Sequence, residues 1–185
     1  MGNVIAIVGM TGSGKSIASD YLEKKGYYKI YFGGLTLSKL KEAGLEINPE
    51  NEKMMREKLR KEHGMGAFAK LLLPQIKEQA QKHDVVLDGL YSWDEFEILN
   101  NELDNLKLIG IIVDKDIRYE RVAQREIRPL TNIEAERRDV AEIKNSAKGG
   151  PIAFADYYIF NNSSLNIYYK RLDEIITAIN TKGSN

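Results

Sequence analysis

Residues Gly9, Met10, Thr11, Gly12, Ser13, Gly14, Lys15 and Ser16 match in full the P-loop pattern of Gly, four residues, Gly, Lys and Ser or Thr. Both flanks suit it. The preceding run, Asn3 to Val8, is short and rich in β-branched residues, as a central strand covered on both faces requires. From Ser16 a helical pattern continues until Gly26 offers a cap. Glycines in such a turn let successive N–H groups point inward at phosphate oxygens, at the positive end of the following helix. Lys15 would place a mobile charge on the β and γ phosphates, and the Ser16 hydroxyl would ligate magnesium. The expected nucleotide-binding set is Gly9 to Ser16 together with Ile17.

A chain of 185 residues has room for about one domain. Lys plus Arg (27) equals Asp plus Glu (27), so no basic surplus supplies general attraction to nucleic acid or an anionic membrane. With no cysteine and only His63 and His83 as imidazoles, thiol chemistry is excluded and a dedicated metal cage is not expected. No long apolar stretch or signal-peptide pattern occurs, so a cytoplasmic protein is expected, as a monomer or small homo-oligomer.

Beyond the first strand and helix, strands are predicted at Tyr27 to Phe32, Asp84 to Asp88, Leu106 to Val113 and Tyr157 to Phe160. The second ends at a Gly33–Gly34 break. Helical patterning fills the gaps, and Ser164 caps a final helix running to about Asn180. Alternating strands and helices predict an α/β layer architecture with helices on both faces. The core falls at 1–35, 84–128 and 150–185, with a helical insertion at 36–83 suited to an acceptor and a lid at 129–149.

Asp88 ends an apolar strand, where an open parallel sheet presents ligand-binding groups, and could hold the magnesium shell or accept a proton. Gly89 beside it would let a ligand approach the backbone. Arg118, Arg121 and Arg125 follow i, i+3 and i+7 spacing on one helix face, with Arg128 just beyond. Arg137 and Arg138 lie on the next helix, which Thr131 and Glu134 open as a capping box. Arg121, Arg125, Arg128, Arg137 and Arg138 form the candidate lid set, and Lys15, Asp88 and Arg125 the candidate catalytic set. Arg56 and Arg60, one helical turn apart, could clamp an acceptor phosphate or simply pair with Glu52 or Glu57.

Taken with the blocks Asp88 to Trp93, Arg137 to Asp139 and Gly149 to Tyr157, the chain resembles the P-loop nucleoside monophosphate kinase group, in particular its dephospho-CoA-kinase-like and adenylate-kinase-related members. The resemblance implies a three-layer P-loop NTPase fold with five parallel strands, an acceptor-binding insertion and a closing lid. It also implies ATP as donor, magnesium, and a small-molecule phosphoryl acceptor. Gly33–Gly34 stands where this group often carries an Asp, and Tyr91 where an Arg is common, so the acceptor stays open. An ATP-binding switch acting through a partner is the alternative reading. No guanine-reading Asn-Lys-x-Asp block is present to suggest a GTPase.

Overall fold

The computed structural model describes residues 2–182; Met1 and residues 183–185, the outer ends of the expected core segments, lie outside them. β1 (Val4–Val8) is buried along its whole length. Among the described residues the strands β2 (Tyr28–Tyr31), β3 (Val85–Asp88), β4 (Leu106–Ile112) and β5 (Tyr157–Phe160) join it in one sheet of order β2-β3-β1-β4-β5. Every pairing is parallel. The register sets Ile7 opposite Asp88, so β3 delivers its terminal carboxylate beside the strand that feeds the glycine-rich loop.

The helices are α1 (Lys15–Lys24), α2 (Phe32–Glu42), α3 (Pro49–His63), α4 (Ala67–Ala80), α5 (Trp93–Glu102), α6 (Lys115–Ala123), α7 (Asn132–Ser146), α8 (Gly149–Ala153) and α9 (Leu165–Lys182). Side chains alternate across β1. Val4, Ala6 and Val8 meet Phe32, Leu40, Phe68 and Phe96 from α2, α4 and α5 on one face. Ile5 and Ile7 meet Ala18, Leu22, Tyr168 and Leu172 from α1 and α9 on the other. Each buried Val or Ile there contributes roughly 2 kcal/mol, which fixes the central strand and with it the start of the loop. The result is the three-layer α/β P-loop fold with five parallel strands. No described helix is long and apolar enough to cross a membrane.

Three local details differ from the sequence expectation. Gly33 and Gly34 do not break the chain after β2; they sit in the first turn of α2, which begins at Phe32. A Cβ on Gly33 would collide with the Tyr31 ring, so glycine there lets that ring lie against the helix. The helix carrying Arg118 and Arg121 ends at Ala123, and Leu130 N–H donates to the Val122 carbonyl as the chain turns back, so Arg125 is not on that helix. Finally, the segment expected to be a lid is followed by an unforeseen short helix, α8, whose Gly150 lies against the Trp93 ring.

α7 opens with the expected capping box of Thr131 and Glu134. It docks on α6 through Asp139, which accepts from Arg118 Nη1 at 3.1 Å and Nη2 at 2.7 Å. Tyr119 donates to the same carboxylate at 3.3 Å. Arg118 and Asp139 are both buried. Asp139→Asn leaves the guanidinium without its counter-charge and is expected to cost about 3 kcal/mol in chemical denaturation; a change below about 0.5 kcal/mol would refute this view of the helix docking.

Candidate active site

The loop between β1 and α1 is shaped by what holds its carbonyl groups. Arg118 Nη1 takes the Thr11 carbonyl at 2.9 Å, Asn161 Nδ2 the Ser13 carbonyl at 3.0 Å, and the Tyr168 hydroxyl the Gly14 carbonyl at 3.1 Å. Arg121 in turn donates to the Asn161 carbonyl at 2.9 Å. Three loop carbonyls are thus held by side chains, and Ser13 N–H donates to the Met10 carbonyl at 3.2 Å. Gly14 must be glycine: its φ is 96°, and a Cβ would lie 2.7 Å from Asn161 Nδ2.

Whether an anion suits this cradle can be judged from its polar groups. α1 has no side-chain cap and no acid in its first turn, whereas Asn48, Ser92 and Thr131 cap α3, α5 and α7. Its first amides have no intrahelical acceptors. The Ser13 hydroxyl is buried without a hydrogen-bond partner. A phosphate would satisfy these donors. Lys15 is folded back, donating to the Met10 carbonyl at 3.0 Å. Burial of its amine, reinforced by Lys148 and Arg138, lowers its pKa to about 7 against the opposing pull of Glu142 and Asp88.

Ser16 and Ile17 are exposed at the mouth of the loop. The Ser19 hydroxyl lies 3.0 Å from both the Ser16 carbonyl and Asp88 Oδ2, tying the strand-end carboxylate to the helix turn that carries Ser16. Lys29 approaches Asp88 at 3.7 Å. Among the described residues no three His, Cys, Asp or Glu side chains converge into a metal cage. One hydroxyl and one carboxylate do fit magnesium, which usually takes one or two protein ligands and completes its shell with phosphates and water.

Beside the loop opens a cavity of about 910 Å³ whose walls come from α2, α3, α4, α5 and α7, from the end of β2, and from the loops after β3, α6 and α7. Its rim includes Arg56, Arg60, Arg128, Arg138 and Lys148, and also Glu52, Glu95 and Glu142. Glu52 accepts from Arg56 at 3.4 Å and from Arg128 at 3.1 Å, which links α3 to the segment after α6. Arg60 stands over the Phe68 ring, its centre 5.9 Å away. The Nε of Arg60 and the hydroxyl of Thr36 are buried without partners. Glu95 accepts from the Tyr91 and Ser92 amides, yet burial pushes its pKa up to about 7 despite those bonds and nearby Arg60.

At the junction of loop and cavity lies a carboxylate that pattern reading missed. Glu142 accepts from the Thr11 hydroxyl at 2.8 Å, from Lys148 Nζ at 2.6 Å and from Arg138 Nε at 3.2 Å. Burial alone would raise its pKa, but Lys148 and the other donors hold it below the usual carboxylate range. Lys148 is only 2% exposed, and its ammonium sits 4.7 Å from the centre of the Tyr91 ring. Burial lowers its pKa, with Glu142 opposing.

The candidate residues therefore separate. Lys15, Arg138, Glu142, Lys148 and Asp88 are gathered within electrostatic reach of one another. Arg125 is exposed yet close enough for Arg138 and Glu142 to act on its charge, with burial the larger influence and lowering its pKa. Arg121 holds the loop through Asn161 instead of serving in a lid. Arg137 is exposed on α7, away from the cavity walls. Gly89 is not a cavity wall either; the Tyr91 ring and Phe32 lie 3.0 and 3.3 Å from where a Cβ on it would stand. Its φ of 106° serves the turn after β3.

Residues 5–139 match the AAA domain family. A UPF0200 protein from Thermococcus gammatolerans is 31% identical over 190 residues, covering 98% of this chain and 100% of its own. Among solved structures, the shikimate kinase of Bacteroides thetaiotaomicron superposes with a TM-score of 0.60 at 16% identity, over 95% of this chain and 98% of that one. A gluconokinase from Sinorhizobium meliloti 1021 gives 0.50 at 14% identity, over 96% and 89%. At those identities the likeness is one of fold.

Lys15 provides a test of the cradle. Near pH 7 its amine is partly neutral in the free protein. A bound polyphosphate favours the charged form, so binding takes up a proton above pH 7 and almost none at pH 6, where the amine is already charged. Calorimetry of Mg-ATP at pH 8 in buffers of different ionisation enthalpy is expected to show uptake approaching about one proton, absent in Lys15→Met. Equal uptake in both proteins would disprove the assignment.

Proposed function

The chain belongs to the AAA domain family and, over 98% of its length, to the UPF0200 proteins, and from that footing we propose that it is an ATP-dependent phosphotransferase carrying the γ-phosphoryl group to a small nucleotide or nucleotide-like acceptor. The observation that carries this reading is contiguity. Glu142 accepts from Thr11 of the loop and is also a wall of the cavity, so a donor on the loop and an acceptor in the cavity would meet at one place. A reaction of this kind needs little covalent work from the protein; positioning and charge stabilisation supply most of the rate.

Lys15 would lie along the β and γ phosphates, with the loop amides beneath them. Ser16 and Asp88 would hold magnesium, which when bound neutralises phosphate charge. Asp88 could instead receive the acceptor's proton, since it ends β3 within electrostatic reach of Lys15. The cavity walls carry five cations against three carboxylates, which favours an anionic acceptor. Arg60 Nε and Thr36 Oγ1 supply unpartnered buried donors for its anionic group, and Tyr31, Phe68 and Tyr91 offer ring faces for a flat base. Balanced net charge supports a small acceptor over a polymer, and a cytoplasmic setting goes with such chemistry.

The test is ADP release from Mg-ATP with nucleoside monophosphates, their deoxy forms, dephospho-CoA, nucleosides and no acceptor, for wild type and Lys15→Ala. One acceptor is expected to raise turnover at least about tenfold over the acceptor-free rate, and the variant to lose about 100-fold or more. ATP binding that no acceptor stimulates would instead favour the alternative of a switch acting through a partner.

A further inference from the structure

Lys148 is the most deeply buried cation at the junction of loop and cavity, 2% exposed, and nothing in the sequence pattern marks it out. A buried ammonium persists only where a partner offsets its lost hydration, and Glu142 at 2.6 Å is that partner. The same carboxylate holds the Thr11 hydroxyl and Arg138 Nε, one donor from the donor loop and one from α7. Lys15 lies within electrostatic reach of both members of the pair. An anion surrounded by a P-loop hydroxyl, an arginine and two lysines has the company that a phosphoryl group seeks.

The backbone supports a positioned role. Ala147, the residue before Lys148, adopts φ 47° and ψ 36°, a left-handed conformation unfavourable for a residue with a Cβ. Lys148 N–H donates to the Glu142 carbonyl at 3.2 Å, so the turn that ends α7 also directs this lysine back toward the carboxylate. A pair serving only to hold α7 in place would need neither the loop hydroxyl nor a place on the cavity wall.

We propose that Lys148 is a catalytic residue of the transfer, meeting the γ-phosphoryl group between loop and cavity, and that Glu142 holds its place in the ligand-free protein and yields it to the phosphate. This rests on the phosphotransferase reading above. In the step, the bond from the β-phosphate bridging oxygen to the γ-phosphorus breaks, and the leaving ADP keeps the electron pair. The acceptor oxygen bonds to that phosphorus, and its proton passes to Asp88 or water. Lys148 stays protonated throughout and donates to the equatorial oxygens.

Calorimetry with two magnesium-bound probes, ADP and the β,γ-imido analogue of ATP, separates the possibilities, because only the analogue carries a γ-phosphoryl group. Lys148→Met is expected to weaken the analogue about tenfold or more while leaving ADP within about threefold, and Lys148→Arg to restore most of the difference. Glu142→Gln, which removes the competing charge, is expected to tighten the analogue. Equal losses for both probes, no loss for either, or a weaker analogue in Glu142→Gln would overturn the proposal. Should Lys148→Met not fold, Lys148→Arg and Glu142→Gln decide it by the same criteria. These readings need no acceptor: preferential loss of the analogue without any acceptor-stimulated turnover would sustain the Lys148 contact and remove the kinase reading, and the opposite pattern would remove Lys148 alone.

Discussion

A peptide loop that binds phosphate with its amides must do something with the carbonyls that alternate with them. Here three other elements take those carbonyls: α6 through Arg118, the end of β5 through Asn161, and α9 through Tyr168. The sheet order makes this possible, since β1 is central and β4 and β5 lie next to it in turn. The glycine-rich segment is therefore shaped by residues more than a hundred positions away. Arg118 does a second task with the same guanidinium, gripping Asp139 on α7, so the shape of the loop and the position of the helix above it share one buried cation.

That sharing explains which parts of the site were legible in the sequence. The loop itself was, because its spacing is a local demand of backbone geometry, and so were the strand before it and the capping box that opens α7. The arginines misled. Spacing of i, i+3 and i+7 assumes one continuous helix, and α6 stops at Ala123 before reaching Arg125. Nothing local distinguishes Arg118, which is buried and structural, from a solvated arginine on the same face. Glu142 had a weak signal, since it follows Arg138 by four residues on a helix whose start was already fixed. Lys148 had none, because its placement depends on the left-handed turn at Ala147 and on rings brought in from β3's loop.

The two departures from the kinase pattern are connected in space. Gly33 accommodates the Tyr31 ring within α2, and Tyr91 packs beside Gly89 beneath Lys148. Both tyrosines are walls of the cavity. Where the kinase group that the sequence resembles often places an Asp and an Arg, this chain offers two phenolic rings, and the cavity takes its charges from α3, α5, α7, the loop after α6 and the α7–α8 turn. An exchange of that kind changes the shape and charge of the cavity while leaving the glycine-rich loop untouched.

The packing of α8 has one more consequence. Gly150 rests against the ring of Trp93, and Phe154 from the end of the same short helix meets that indole edge-on at 5.9 Å. Trp93 is the chain's single tryptophan. Because α8 follows directly on the turn that carries Lys148, any swing of α7 would change the polarity and quenching around this indole. The fluorescence of Trp93 would therefore report any such movement without an added dye.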